Sequence, residues 1–228
     1  MKTLTILAAF LAATLVSPQV SAADAAGVKK ATQIIFETQH LEKTNKGDEL
    51  VYDFSSKPSD EKIAAAGFRD AISVKIMDVV NGKRAVEMQI YTGDRARELQ
   101  KMPELTINPI FVVSMQQAMA TYARMSGGDF NYLKTRFSKV LDEKGKVEPL
   151  KIDYKGQTHE AFRISITPFT EDAAVAKMKG YEISTYSMIV SPTVPGEFVE
   201  SVSVIKSKEA DKFGFEDRTA ISGFGGVK

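Results

Sequence analysis

Along much of the chain, apolar and polar residues alternate at every second position, and the alternation is clearest in "AISVKIMDVVNGKRAVEMQIY". There Ile72, Val74 and Ile76, and then Val86, Met88 and Ile90, share one parity on either side of Asn81-Gly82. A period of two puts each set on one face of a strand. Two loops could close the hairpin. A two-residue Asn-Gly turn pairs Val80 with Lys83 and, carried through unbroken, sets apolar residues against charged ones, Lys75 opposite Met88 among them. A three-residue loop Val80-Asn81-Gly82 pairs Ile76 with Val86, Val74 with Met88 and Ile72 with Ile90. It also places Lys75 across from Glu87 and Asp78 across from Arg84. The three-residue loop makes both faces consistent and is the one expected.

Similar patterning predicts further strands. One is expected over Thr32 to Thr38 and another over "LVYDF", Leu50 to Phe54, the loop between them carrying the turn formers Asn45 and Gly47. "SSKPSDEKIAAAG" is polar in its first half and reads as a surface excursion. In "EPLKIDYKGQTHEAFRISITPF", Leu150, Ile152 and Tyr154 share a parity with Phe162, Ile164 and Ile166, which calls for a loop of odd length. A further pair runs from Tyr181 to Val190 and from Phe198 to Ile205. The "SPTVPGE" between them holds Pro192, Pro195 and Gly196, which forbid continued pairing.

One stretch breaks the period. In "FVVSMQQAMATYARMSGGDFNYLKTRF", Phe111, Met115, Ala118, Met119 and Tyr122 recur at helical spacing, and Gly127-Gly128 stops the run. Asn108 is a suitable N-cap with Pro109 at the first helical position, where its missing donor costs nothing. Asp129 caps a second helix whose Phe130, Leu133, Phe137, Val140 and Leu141 form an apolar face. Each helix is one-sided, so each must lie on something apolar. The pattern therefore predicts an α+β, mainly β fold: a curled antiparallel sheet (half-barrel) of about eight strands, with a central helical pair packed on one face. No internal repeat occurs at solenoid spacing.

The ends differ from this body. Lys2, the apolar run Leu4 to Val16 and the small residues Val20-Ser21-Ala22 have the three-part form of a secretory signal, with cleavage expected after Ala22. The run is too short for a membrane span, which needs about 20 residues. Residues 1–22 are expected to be a signal peptide, 23–206 a single domain, and 207–228, where no period holds, a flexible tail.

Composition narrows the function. Lys+Arg number 30 and Asp+Glu 29, and residues 1–22 hold one basic residue and no acidic one, so the remainder is balanced. That balance provides no electrostatic footprint for nucleic acid and no net attraction to an anionic membrane. Without cysteine there is no disulfide framework, no lipid-attachment site and no thiolate-bound zinc. A periplasmic location follows, with release into the medium as the alternative.

Catalytic chemistry is thinly provided for. The histidines are His40 and His159, neither spaced for a zinc pair, and no Gly-x-Ser-x-Gly elbow occurs. Carboxylates flank His40 at Glu37 and Glu42, and Asp48-Glu49 precede a strand, but such pairs are common in loops. Arg95 and Arg97 follow a Gly-Asp turn and would share a face on a strand as an anion site, although alternating charges more often form a solvated edge. "GFGG" near the end has no flanking strand and helix and is not a phosphate loop. No cofactor and no metal site is expected.

Methionine is the one enrichment. Met77, Met88, Met102, Met115, Met119 and Met125 fall in a single stretch, with Met178 and Met188 later. Such a stripe is most often core that fixes helix to sheet. Thioethers also adapt to apolar ligands of varied shape, and a curled sheet facing helices can enclose a cavity.

The layout, antiparallel hairpins around a central helical pair and then "YSMIVSPTVPGEFVESVSV", resembles the lipoprotein-carrier-like half-barrels of the bacterial envelope. It also looks like a family of bacterial periplasmic proteins in which a strand, a short proline-containing turn and a returning strand close the sheet. The chain departs from lipidated members in lacking a Cys after the signal. The resemblance implies a concave sheet sheltering an apolar ligand such as acyl chains. On this reading the protein binds or carries a hydrophobic small molecule or lipid without catalysis, Met88, Ile90, Phe111, Met115 and Met119 being the candidate liners. The alternatives, in order, are an envelope assembly or scaffolding protein that binds another envelope protein, and a hydrolase using His40 or His159.

Overall fold

Helix α1 (Ala31–Phe36) replaces the first expected strand. Ala31, Ile34 and Ile35 are its buried residues, at the i, i+3, i+4 spacing of a helix. Gln33 Oε1 accepts from Lys30 N at 2.9 Å and closes the first turn. The fold is that of a computed structural model describing residues 29–60, 62, 66–171 and 178–226. The expected signal lies outside the described residues.

The remaining elements follow in chain order. They are β1 (Asp48–Pro58), β2 (Phe68–Val80), β3 (Lys83–Ile90), β4 (Gln100–Leu105), α2 (Ile110–Ser126) and α3 (Phe130–Lys144). After them come β5 (Lys146–Tyr154), β6 (Gln157–Ile166), β7 (Thr185–Val190), β8 (Phe198–Ile205) and β9 (Phe215–Gly226). All nine strands form one antiparallel sheet, ordered β4-β3-β2-β1-β9-β8-β7-β6-β5, that does not close into a barrel. Strands β1 to β4 form one meander and β5 to β9 another. The α2–α3 pair connects the two edge strands, β4 and β5, across one face of the sheet, its inner face. No described helix is long and apolar enough to cross a membrane.

The expected tail is corrected by β9, which sits between β1 and β8. It pairs Tyr52 with Ile221 and Phe54 with Thr219 on one side, and Ser201 with Thr219 and Ile205 with Phe215 on the other. A strand inside a sheet has both rows of backbone groups satisfied, which gives the segment order that its composition does not announce.

In the β2–β3 hairpin the expected core register is present: Ile76 faces Val86, Val74 faces Met88 and Ile72 faces Ile90, with Lys75 across from Glu87. The turn is nevertheless the two-residue one, Asn81-Gly82, both at positive φ, with Val80 opposite Lys83. A bulge between Ile76 and Asp78 absorbs the extra residue and reconciles the two registers. Asp78 consequently faces Ala85, and Arg84 faces Val79 instead of Asp78.

The β5–β6 hairpin also turns on two residues, Lys155-Gly156, both at positive φ, where an odd loop was expected. Ile152 therefore lies across from His159 and Leu150 from Ala161, whereas Val147 lies across from Ile164. Leu150, Ile152 and Tyr154 sit on the face opposite Ile164 and Ile166. The β7–β8 pair matches expectation, with Val190 opposite Phe198 across the proline-bearing loop.

Candidate functional site

The site is the layer between α2–α3 and the inner face of the sheet, and local chemistry fixes where the helices lie over it. Asn108 is fully buried. Its Oδ1 accepts from Ile110 N at 3.2 Å, capping α2, while its Nδ2 donates to Tyr52 Oη at 2.8 Å and to the Gly196 carbonyl at 2.9 Å. One side chain thus ties the helix start to the middle of the sheet and to the β7–β8 loop. Gly127, at φ 70°, ends α2 in the left-handed conformation, and Asp129 Oδ1 accepts from Tyr132 N at 2.8 Å to start α3.

All five sequence-predicted liners come together. Met88, Ile90, Phe111, Met115 and Met119 are buried members of one contiguous core, which also holds Phe137 and Val140 of α3 and Ile164, Tyr186 and Met188 of the sheet. Phe111 belongs to an aromatic knot at the start of α2, 4.3 Å from the His40 ring and edge-on to Phe198 at 5.2 Å. The layer is closely filled. The described cavity that touches the predicted set does so through Met119, measures ≈ 10 Å³ and has room for about a single water. A preformed ligand cavity between helix and sheet is therefore not what this conformation shows at that place.

The inner layer also has a polar side that sequence reading missed. Ser56, Ser201, Ser203, Asp217 and Thr219 are buried, on the inner positions of β1, β8 and β9. Ser56 Oγ donates to Asp217 Oδ1 at 2.5 Å, and Thr121 of α2 hydrogen-bonds the same carboxylate. Burial pushes the Asp217 carboxyl above the usual range, against these bonds and the charge of Arg124. Ser114 Oγ lies 3.0 Å from Tyr186 Oη, and Gln117 Nε2 donates to Tyr91 Oη at 2.9 Å. Burial drives the Tyr91 phenol up to about 12. Helix α2 is thus fastened by four polar groups, Ser114, Gln117, Thr121 and the capping Asn108. The signal was present as serines and threonines alternating with apolar residues in β8. It could not be used while β9 was taken as tail.

The candidate catalytic residues are dispersed. His40 Nε2 lies 2.7 Å from the Ile34 carbonyl, to which it can donate, and Nδ1 is 3.5 Å from Asn108 N. Burial lowers its pKa and favours the neutral ring. These bonds make it a brace between α1 and α2. His159 Nδ1 lies 2.7 Å from Thr193 Oγ1 on the β7–β8 loop. Arg95 and Arg97 do not share a strand: Gly93–Arg95 is a short 3-10 turn. Arg95 lies over the Phe68 ring at 5.0 Å and Arg97 over Tyr91 at 5.4 Å, each with its own aromatic partner. Among the described residues no three His, Asp or Glu side chains could hold a metal ion.

Comparison with known proteins finds no protein-family model and no curated protein that matches the chain. Two solved structures are similar. Mycobacterium tuberculosis lipoprotein LppX matches over 85% of this chain and 92% of its own, at 7% identity and a TM-score of 0.31. A domain assigned to outer membrane lipoprotein sorting in Vibrio parahaemolyticus matches over 81% and 87%, at 11% identity and a TM-score of 0.20.

Proposed function

We propose that the protein is a non-catalytic carrier of an apolar ligand, an acyl chain or comparable lipid. The ligand is sheltered between α2–α3 and the inner face of the sheet. One observation carries this reading: a Met-rich apolar layer lies under two one-sided helices that are joined to the open sheet through its edge strands. Met115 and Met119 of α2 meet Met88 and Met188 of the sheet in one core. Unbranched thioethers repack at little cost, so the layer suits a ligand that takes the place of the protein's own side chains. The filled form described above is then the ligand-free state. Burying acyl methylenes gains about 0.8 kcal/mol each, offset by the apolar packing that is given up when the helices lift. The signal expected at residues 1–22 puts the carrier outside the cytoplasm, in the periplasm of a bacterium.

The closed core changes how this reading is tested. Met115 is only 6% exposed, so an aspartate there would unfold the protein as well as spoil a site. A reversible lock is cleaner. Because the chain lacks cysteine, a disulfide engineered between α2 and β8, which lie side by side, cannot mispair. Residues 23–228 purified without detergent are expected to yield lipid on organic extraction and native mass spectrometry. The oxidised lock takes up no acyl chain, and reduction restores uptake. Equal uptake by locked and reduced protein rules this site out, and no uptake by any form rules out the carrier reading itself.

A further inference from the structure

A groove of ≈ 470 Å³ runs between α3 and strands β5–β7. Its cationic lining comes from Arg136 and Lys144 of α3 and from Lys146 at the start of β5, two residues beyond the helix end. The one acidic residue among the described lining is Glu171. Its carboxylate pairs with Lys144, and its backbone carbonyl accepts from Arg136 Nη2 at 3.2 Å. Lys146 also reaches Glu148 at 2.6 Å, outside the groove. In a chain whose charges otherwise balance, three cations around one carboxylate are a local excess. Hydroxyls of Thr170, Thr185 and Ser187 add donors between them.

The inner end of the groove is different in character. Val140, Ile166 and Tyr186 line it. Tyr186 and Thr185 also line the ≈ 10 Å³ cavity that reaches Met119 and Phe137. The Tyr186 ring stands edge-on to Phe137 at 5.2 Å and so forms the partition between polar groove and methionine layer. A cationic mouth thus opens on an apolar wall one ring thick.

We propose that this groove is the head-group site for an anionic amphiphile. Arg136, Lys144 and Lys146 hold a carboxylate or phosphate head, and the chain passes Ile166 and Tyr186 toward Met119. The assignment rests on the carrier reading and adds to it the ligand's polarity and its point of entry. Glu171 occupies the anion position when no ligand is bound, so an incoming head exchanges one charged partner of Lys144 for another.

The test compares four probes by calorimetry at pH 8 and low salt: decanoate, decyl phosphate, decanol and inorganic phosphate. The two anionic amphiphiles are expected to bind about tenfold more tightly than decanol, and inorganic phosphate not to bind measurably on its own. The preference shrinks as salt is added. In the double variant Lys144→Gln, Lys146→Gln, whose side chains are on the surface, the preference falls to within about threefold while decanol binding is unchanged. Glu171→Gln strengthens binding of the anions. Equal affinity of decanol and decanoate, or a preference that survives the double variant, overturns the head-group site and leaves the carrier standing. Phosphate binding as tightly as decyl phosphate overturns the amphiphile in favour of a small-anion site. Failure of every decyl probe overturns both readings.

Discussion

Arg84 and Asp217 are both buried charges, and they are handled in opposite ways. The Arg84 guanidinium donates only to backbone carbonyls, those of Glu42, Thr44 and Gly82. It closes the loop between α1 and β1 onto the β2–β3 turn. Arg84→Ala leaves those carbonyls unpaired in a buried place and is expected to cost about 2–4 kcal/mol in urea unfolding. Arg84→Lys recovers little of that, because an ammonium cannot span the same fork. Asp217 accepts from Ser56 and Thr121, faces Arg124 and Tyr91, and keeps Oδ2 buried with no hydrogen-bond partner among the described residues. Its raised pKa means the folded state holds the proton more tightly than the unfolded one. The stability linked to that proton is present below the unfolded pKa and lost as pH rises through the folded value. Asp217→Asn is therefore expected to melt higher than the parent at pH 7, with the gain shrinking toward pH 4. A gain that is flat across that range would show that the carboxyl is ionised throughout.

At the scale of elements, what the sequence disclosed was what local chemistry decides. The Asn108 and Asp129 caps, the Gly127 stop and the helical faces of α2 and α3 depend on neighbours a few residues away, and they stand where the pattern put them. The β2–β3 core register was legible from parity alone, whereas its turn was not, because a bulge can shift parity without leaving a mark in the composition. Helix α1 was misjudged because Ile34-Ile35 suits a short strand as well as one turn of helix. Strand β9 was missed for a longer-range reason: its inner positions carry Asp217 and Thr219, whose partners, Ser56 and Ser203 among them, come from other strands. No window of the sequence shows that match. Ending the chain at Gly214 exposes the facing edges of β1 and β8 and divides the sheet. Such a truncation is expected to abolish cooperative thermal unfolding and to leave insoluble protein; a sharp, parent-like transition would contradict the central place of β9.

Over the whole molecule, the members of the candidate site were legible and its state was not. Met88, Ile90, Phe111, Met115 and Met119 converge as the spacing of two helices and one hairpin implied. Whether such a layer is empty or filled depends on how closely α2 settles, and Ser114, Gln117 and Thr121 decide that through partners scattered along the chain from Tyr91 to Asp217. The groove beside α3 was invisible for the same reason, since Arg136, Lys144 and Lys146 look like ordinary surface charge until the β5–β7 edge is set beside them. The position of β9 has one more consequence. The last residues to leave a ribosome, or to emerge from a translocation channel, are those that occupy the middle of the sheet. Until they arrive, the two meanders have no common partner, and every long-range pairing must wait for the end of the chain. A polypeptide built this way stays threadable throughout its passage and locks only on arrival.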